Sequence, residues 1–120
     1  MKILYVEDNP QNMRLVRKML DTGGYKMVEA LDGITGLRMA EQEQPVLILL
    51  DINLPDIDGM EVTARLKANP ALAHIPIVAL TANAMFGDRE RFLEAGCDGY
   101  LAKPVSKTEL LNTLAYFLNR

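Results

Sequence analysis

Residues 45–62 read PVLILLDINLPDIDGMEV, and the first part of that stretch decides the fold. Val46 to Leu50 is an unbroken apolar run bounded by Pro45 and Asp51. A strand with one face in water alternates apolar and polar residues, so a continuous run predicts a strand buried on both faces, with helices above and below it. The polar residues that follow contain Asp58-Gly59-Met60-Glu61, the spacing of a capping box that opens a helix. That helix carries Leu66 and is closed by Asn69-Pro70.

The same alternation extends in both directions. Toward the N-terminus, Ile3 to Val6 is a compact apolar run. Asn9-Pro10 supplies a cap with proline at the first helical position. Met13, Val16 and Leu20 repeat at helical spacing until Gly23-Gly24. Tyr25 to Ala30 predicts a less apolar strand nearer an edge. Asp32-Gly33 opens a helix expected to bury Ile34, Leu37 and Ala40, with Pro45 ending it. Toward the C-terminus, Ile75 to Leu80 predicts a fourth buried strand, and a helix is expected from about Ala84 to Glu94, ended by Gly96. Gly99 to Ala102 predicts a short fifth strand. Ser106-Lys107-Thr108-Glu109 is a second capping box, before a helix carrying Leu111, Leu114, Ala115 and Leu118.

Strands alternating with helices imply parallel strands joined by right-handed crossovers. The predicted architecture is α/β, an open five-stranded parallel sheet with helices on both faces. A chain of 120 residues has room for one such domain. It ends at its fifth helix, so a single domain over residues 1–120 with no effector domain is expected. The composition, 49% hydrophobic and 24% charged, is that of an ordinary globular protein. A net charge of −3 argues against nucleic-acid binding. No apolar run is long enough to span a bilayer, and no signal peptide precedes the first strand. Cys97 is alone, so no internal disulfide can form. These features predict a cytoplasmic protein without membrane insertion.

In open parallel sheets, sites form beyond the carboxyl ends of the strands. The residues there are Glu7-Asp8 after the first strand, Asp51 after the third, Thr81 after the fourth and Lys103-Pro104 after the fifth. Each alone has an ordinary explanation: a helix cap, a solvated turn, a strand-end hydroxyl, a surface lysine. Four strand ends bearing complementary groups at once point to chemistry. Converging carboxylates repel each other, and a hard divalent cation such as Mg²⁺ relieves that conflict. A cation, an ammonium and a hydroxyl around one carboxylate suit phosphoryl transfer, with Asp51 as a nucleophile that forms an acyl phosphate.

The segments ILYVEDNPQN, LILLDINLPDIDGMEV, IPIVALTANA and GYLAKPVSKTEL occur in this order and spacing. On these the chain resembles, over its whole length, the receiver domains of two-component response regulators, which have the (βα)5 flavodoxin-like fold. VEDNPQNM, HIPIVALTANAMFGD and GCDGYLAKPVS further resemble single-domain receivers of the DivK type and the receivers of hybrid histidine kinases. The resemblance implies that Asp51 is the phosphoacceptor and Asp8 a direct Mg²⁺ ligand, with Glu7 helping through water. The backbone carbonyl of Asn53 is implied as a further ligand, with Mn²⁺ able to substitute. Thr81 is implied as the switch hydroxyl, Lys103 as its ammonium partner and Tyr100 as the aromatic that turns with it. Asn53 and Asn83 are implied to tune the hydrolysis rate, and Lys103-Pro104 to be a cis peptide.

The implied function is a phosphorelay switch and not an enzyme. It would take a phosphoryl group from a histidine kinase or histidine phosphotransfer protein and reset by its own hydrolysis. It would signal to a downstream protein through the face of the fourth helix, fifth strand and fifth helix, where Met85, Phe86 and Tyr116 are candidates. A monomer or weak dimer is expected. His74 and Cys97 are expected to have no chemical role, and the methionines to serve mostly as core. Other classes fit less well. An aspartate-nucleophile phosphatase needs an acid two residues after Asp51, where Asn53 stands. A nucleotide-binding protein needs a glycine-rich loop after the first strand. A phosphorylation-independent pseudo-receiver would lack an acid, the threonine or the lysine, and none is missing.

Overall fold

The computed structural model describes residues 1–82 and 88–119. The strands are β1 (Lys2–Val6), β2 (Lys26–Ala30), β3 (Leu47–Asp51), β4 (Ile77–Thr81) and β5 (Gly99–Ala102). The helices between and after them are α1 (Pro10–Thr22), α2 (Gly33–Glu43), α3 (Gly59–Ala68), α4 (Asp88–Ala95) and α5 (Lys107–Leu118). All pairings are parallel, in the order β2-β1-β3-β4-β5. This is the (βα)5 flavodoxin-like fold, with the least apolar strand, β2, at an edge as its sequence predicts.

The central strands are apolar throughout because each faces two cores. Leu4, Val6, Ile48, Leu50, Ile77 and Ala79 point to one side, where Ala40, Val62, Leu66 and Phe92 of α2, α3 and α4 cover them. Ile3, Tyr5, Leu47, Leu49, Val78 and Leu80 point to the other, against Met13, Val16 and Leu20 of α1 and Leu110 and Leu114 of α5. Most methionines join these cores as expected, Met13 buried and Met19, Met27, Met39 and Met60 packed against them. Met1 is exposed.

Several local expectations need correction. β2 begins at Lys26, one residue after Tyr25, and β3 is shifted one residue on, so that Asp51 lies within the strand. β4 begins at Ile77, because Pro76 has no N–H to give the ladder. Ile75 is nonetheless buried in the core. The Asp58 box is half formed: Asp58 accepts from Met60 N at 2.7 Å, while Glu61 turns outward to Arg65 at 3.0 Å. Ser106 accepts from Glu109 N at 3.1 Å, as its box predicts. α4 is described from Asp88, and the expected start at Ala84 lies outside the described residues.

The largest discrepancy is in α2, where Ile34 is 48% exposed and Gly33, Gly36 and Ala40 form the buried face. The helix lies too close to β1 for large side chains: a Cβ on Gly36 would sit 2.8 Å from Val6 Cγ2. Gly36→Ala is therefore expected to lower stability by about 1–3 kcal/mol through overpacking. Helix propensity alone would raise it by about 1 kcal/mol. Urea unfolding decides the sign, and a midpoint at or above wild type would show that the α2–β1 spacing is not set by this contact.

Candidate functional site

β1 sits between β2 and β3, so the crossovers leaving β1 and β3 diverge to opposite sides and open a crevice at their carboxyl ends. The register pairs Val6 with Leu50, Asp51 with Leu80 and Thr81 with Ala102. Glu7, Asp51, Thr81 and Lys103 therefore end neighbouring strands at one level. The α3 N-terminus closes the crevice from the side. A Cβ on Gly59 would meet Asp51 O at 2.8 Å, so only glycine lets the helix approach this closely.

Glu7, Asp8 and Asp51 each offer a carboxylate oxygen, and these atoms lie within 4.8 Å of one another. Glu7 and Asp51 are almost completely buried, and Asp8 is exposed. Lys103 Nζ stands between the buried pair, 2.9 Å from Glu7 Oε1 and 3.3 Å from Asp51 Oδ1. Asn53, at the start of the β3–α3 loop, donates its backbone N–H to Asp51 Oδ1 at 3.2 Å. Thr81 is buried at the end of β4, and its carbonyl accepts from Lys103 N at 2.8 Å. The Lys103–Pro104 peptide is cis, as the resemblance implies. Tyr100 is partly buried beside Phe92, ring centroids 5.9 Å apart. Asn83, Met85 and Phe86 lie outside the described residues. Tyr116 is exposed, with its ring edge-on to Phe117.

Three contributors are absent from the sequence reading. Tyr5 Oη donates to Glu7 Oε1 at 2.8 Å, and Asn12 Nδ2 donates to the same oxygen at 3.3 Å. A tyrosine two residues before an acid on the same strand shares its face, so period two was the available signal. Asp56 accepts from Gly33 N and Ile34 N at 2.8 and 2.9 Å, tying the β3–α3 loop to the α2 N-terminus. Those N–H bonds hold its carboxyl below the usual range, against the effect of desolvation. Remote residues stay remote: exposed His74 lies at the opposite end of the sheet from Asp51. Cys97 is buried against the Thr63 hydroxyl at 3.5 Å.

The two buried carboxylates are unequal. Burial acts to raise both. For Glu7 it is outweighed by hydrogen bonds from Asp51, Lys103 and Tyr5, and its pKa falls to about 2. For Asp51, burial and the adjacent Glu7 outweigh the attraction of Lys103, and its pKa rises to about 6. Burial, with Glu7 beside it, keeps the Tyr5 phenol protonated. Even with Lys103 present, the cluster lacks positive charge. Its donors are hard oxygens, the set that suits Mg²⁺ or Mn²⁺ and not a thiophilic metal.

An open doubly wound sheet with an acidic, cation-accepting crevice at its strand ends defines a class of α/β protein. Residues 3–115 match the family model of the response regulator receiver domain. The chain belongs to this family, the receiver domains of two-component signalling. It is 41% identical over 116 residues to the polar-differentiation response regulator DivK of Brucella anthropi, covering 97% of this chain and 94% of that one. DivK of Brucella ovis matches equally. Among solved structures, the receiver domain of a Pseudomonas aeruginosa sensor histidine kinase superposes with a TM-score of 0.92 at 42% identity, over 99% of this chain and 98% of that one. That structure has a magnesium ion coordinated in its active site cleft. A response regulator in its Mn²⁺-bound form superposes with a TM-score of 0.80 at 34% identity, over 98% and 94% of the two chains. No helix among the described residues is long and apolar enough to cross a membrane.

The raised Asp51 pKa has a consequence for stability. A carboxyl raised to about 6 holds its proton more tightly folded than unfolded. Its contribution to stability is thus largest below the unfolded value near 4, falls as pH rises to about 6, and stays reduced above. Glu7 runs the other way, its contribution present above about 4.5 and lost toward 2. In chelator, Asp51→Asn is expected to unfold at higher denaturant than wild type at pH 8, with the gap closing toward pH 4. Parallel pH–stability curves for the two proteins would contradict the raised pKa.

Proposed function

We propose that this receiver accepts a phosphoryl group from a phosphohistidine onto Asp51 and thereby switches a protein-interaction surface. The observation that carries the reading is the Lys103 ammonium bridging two buried carboxylates, Glu7 and Asp51, at one end of the sheet. Buried charge of this kind is costly to maintain and is found where function needs it.

Asp8, Asp51 and the Asn53 carbonyl are the residues that would hold Mg²⁺, or Mn²⁺ in its place, with Glu7 acting through water. The hard-oxygen donor set supports this, as do the metal-bound relatives. When bound, the cation neutralises charge on the phosphoryl oxygens. The chain's own residues do the rest. An ionised Asp51 oxygen forms the new bond to phosphorus while the phosphorus–nitrogen bond breaks, and its electron pair leaves with the imidazole. Lys103 offers its ammonium to a phosphoryl oxygen, and Thr81 its hydroxyl. The strand ends fix these groups in place, so catalysis is mostly positioning and electrostatics. Water later attacks the mixed anhydride and releases phosphate, restoring Asp51, with Asn53 and Asn83 setting the rate.

Thr81 moving toward the phosphoryl group would leave space for the Tyr100 ring, and the α4–β5–α5 face would repack. The phosphoryl group biases two packings of one chain. The donor is a histidine kinase or histidine phosphotransfer protein, and the downstream partner docks on that face. Residues 1–120 act as one receiver unit.

Intact mass after incubation with acetyl phosphate tests this reading. Wild type with Mg²⁺ is expected to gain one phosphoryl group, and wild type with chelator or Asp51→Asn with Mg²⁺ to gain none. An Mg²⁺-independent adduct, or one retained in Asp51→Asn, would place the acceptor elsewhere. No adduct on folded protein would reduce the chain to a binding module.

A further inference from the structure

Ile3, Leu47, Leu49, Val78 and Leu80 pack with Tyr5 in the core on its face of the sheet, and all five are aliphatic; the charged residues of that face, Glu29 in register on β2 and Asp51 at the end of β3, lie toward its margins. An aliphatic residue would satisfy the packing there. A phenol with 1% exposure is costly unless its hydroxyl is bonded. The hydroxyl is committed to Glu7 Oε1 at 2.8 Å, the same oxygen that holds Lys103 Nζ at 2.9 Å and Asn12 Nδ2 at 3.3 Å. Glu7 Oε2 is held separately, by Asn9 N at 3.3 Å. One buried carboxylate oxygen thus has two neutral donors besides the ammonium.

This sharing matters when Lys103 moves. In the acceptor reading, the ammonium must turn from Glu7 toward the group transferred to Asp51. A buried carboxylate oxygen left without donors carries its full desolvation penalty. With Tyr5 and Asn12 in place it is never left so. We propose that Tyr5 is a positioning residue of the phosphoryl-transfer site, its hydroxyl holding the Glu7 oxygen so that the Lys103 ammonium is released toward Asp51. The inference rests on the acceptor reading of Asp51 and assigns Tyr5 no contact with the transferred group.

The test is Tyr5→Phe, which keeps the ring and deletes the donor. Without the hydroxyl, Glu7 grips Lys103 harder. The rate of phosphorylation by acetyl phosphate at saturating Mg²⁺ is expected to fall about tenfold, the size of one hydrogen bond to a charged group. The Mg²⁺ concentration for half-saturation should change less than about twofold, since the deleted donor bonds the Glu7 oxygen shared with Lys103 and Glu7 would reach the cation only through water. In a Lys103→Ala background, Tyr5→Phe should have no further effect, because the step it assists is gone. In chelator, the ¹⁵N resonance of the Lys103 ammonium should shift in Tyr5→Phe.

A purely structural tyrosine would slow both backgrounds alike, and that result overturns the proposal. An unchanged rate, a loss that extra Mg²⁺ restores, or an unmoved ammonium resonance does so too. If Tyr5→Phe does not fold, Asn12→Ala removes the other neutral donor from a partly exposed helix position and is held to the same outcomes. Failure of the acceptor reading is separate and visible first: wild type itself would take no phosphoryl group.

Discussion

The ion pair between Lys103 and Glu7 is the constraint on which the rest of the structure turns. It joins the loop after the last strand to the end of the first, 96 residues apart in sequence. Glu7 has 1% exposure and keeps its charge only if donors replace water. At this separation the attraction is on the order of 5 kcal/mol in a medium of effective dielectric 20. Desolvating each ion costs several kcal/mol, so the pair alone does not close the balance. Tyr5, Asn12 and the Asn9 backbone complete it. Between β1 and β5 stand β3 and β4, so the pair spans the ends of both inner strands and holds Asp51 and Thr81 within its reach.

The fold was legible because its signals are local. A short apolar run such as Val46–Leu50, bounded by Pro45 and Asp51, reads as a two-sided strand to within one residue, and Asn9-Pro10 or Ser106 to Glu109 mark helix starts through bonds a few residues long. Ile34 misled because its burial depends on how close α2 lies to β1, a distance set by Gly36 against Val6 and invisible to helical periodicity. The acids, Thr81 and Lys103 were legible because strand ends in a parallel sheet converge by topology. Their roles came from resemblance. The donors that tune them were not legible. Asn12 reaches Glu7 through a particular rotamer, and Asp56 reaches Gly33 across 23 residues by the docking of a loop on a helix. Only Tyr5 left a trace, as the one polar-capable residue in an aliphatic run.

The site divides into a fixed part and an accessible part. Asp51 and Thr81 lie within strands and are buried, each with 3% exposure, so their backbones are set by the sheet. Asp8 and Asn53 lie just beyond strands and face water. A cation therefore approaches from the strand-end face, where the exposed members lie. Gly59 and Asp56 keep the β3–α3 loop from drifting away from that face. Gly59 allows helix α3 against the Asp51 carbonyl, and Asp56 anchors the loop on α2.

The asymmetry between the two buried acids then follows from a count of donors. Four protein groups converge on Glu7, the phenol, the amide, the ammonium and the Asn9 N–H. Asp51 has the Asn53 N–H and a longer share of the same ammonium. Equal burial with unequal satisfaction pushes one pKa down to about 2 and the other up to about 6. The less satisfied carboxylate is the one a cation would benefit most, since its protein contacts on Oδ1 are fewer and longer than those on Glu7 Oε1. A nucleophile needs free lone pairs, and Glu7 Oε1, with three donors on it, has none to offer. The donor geometry therefore favours Asp51 over its buried neighbour for the acceptor role proposed above, on grounds independent of the family to which the chain belongs.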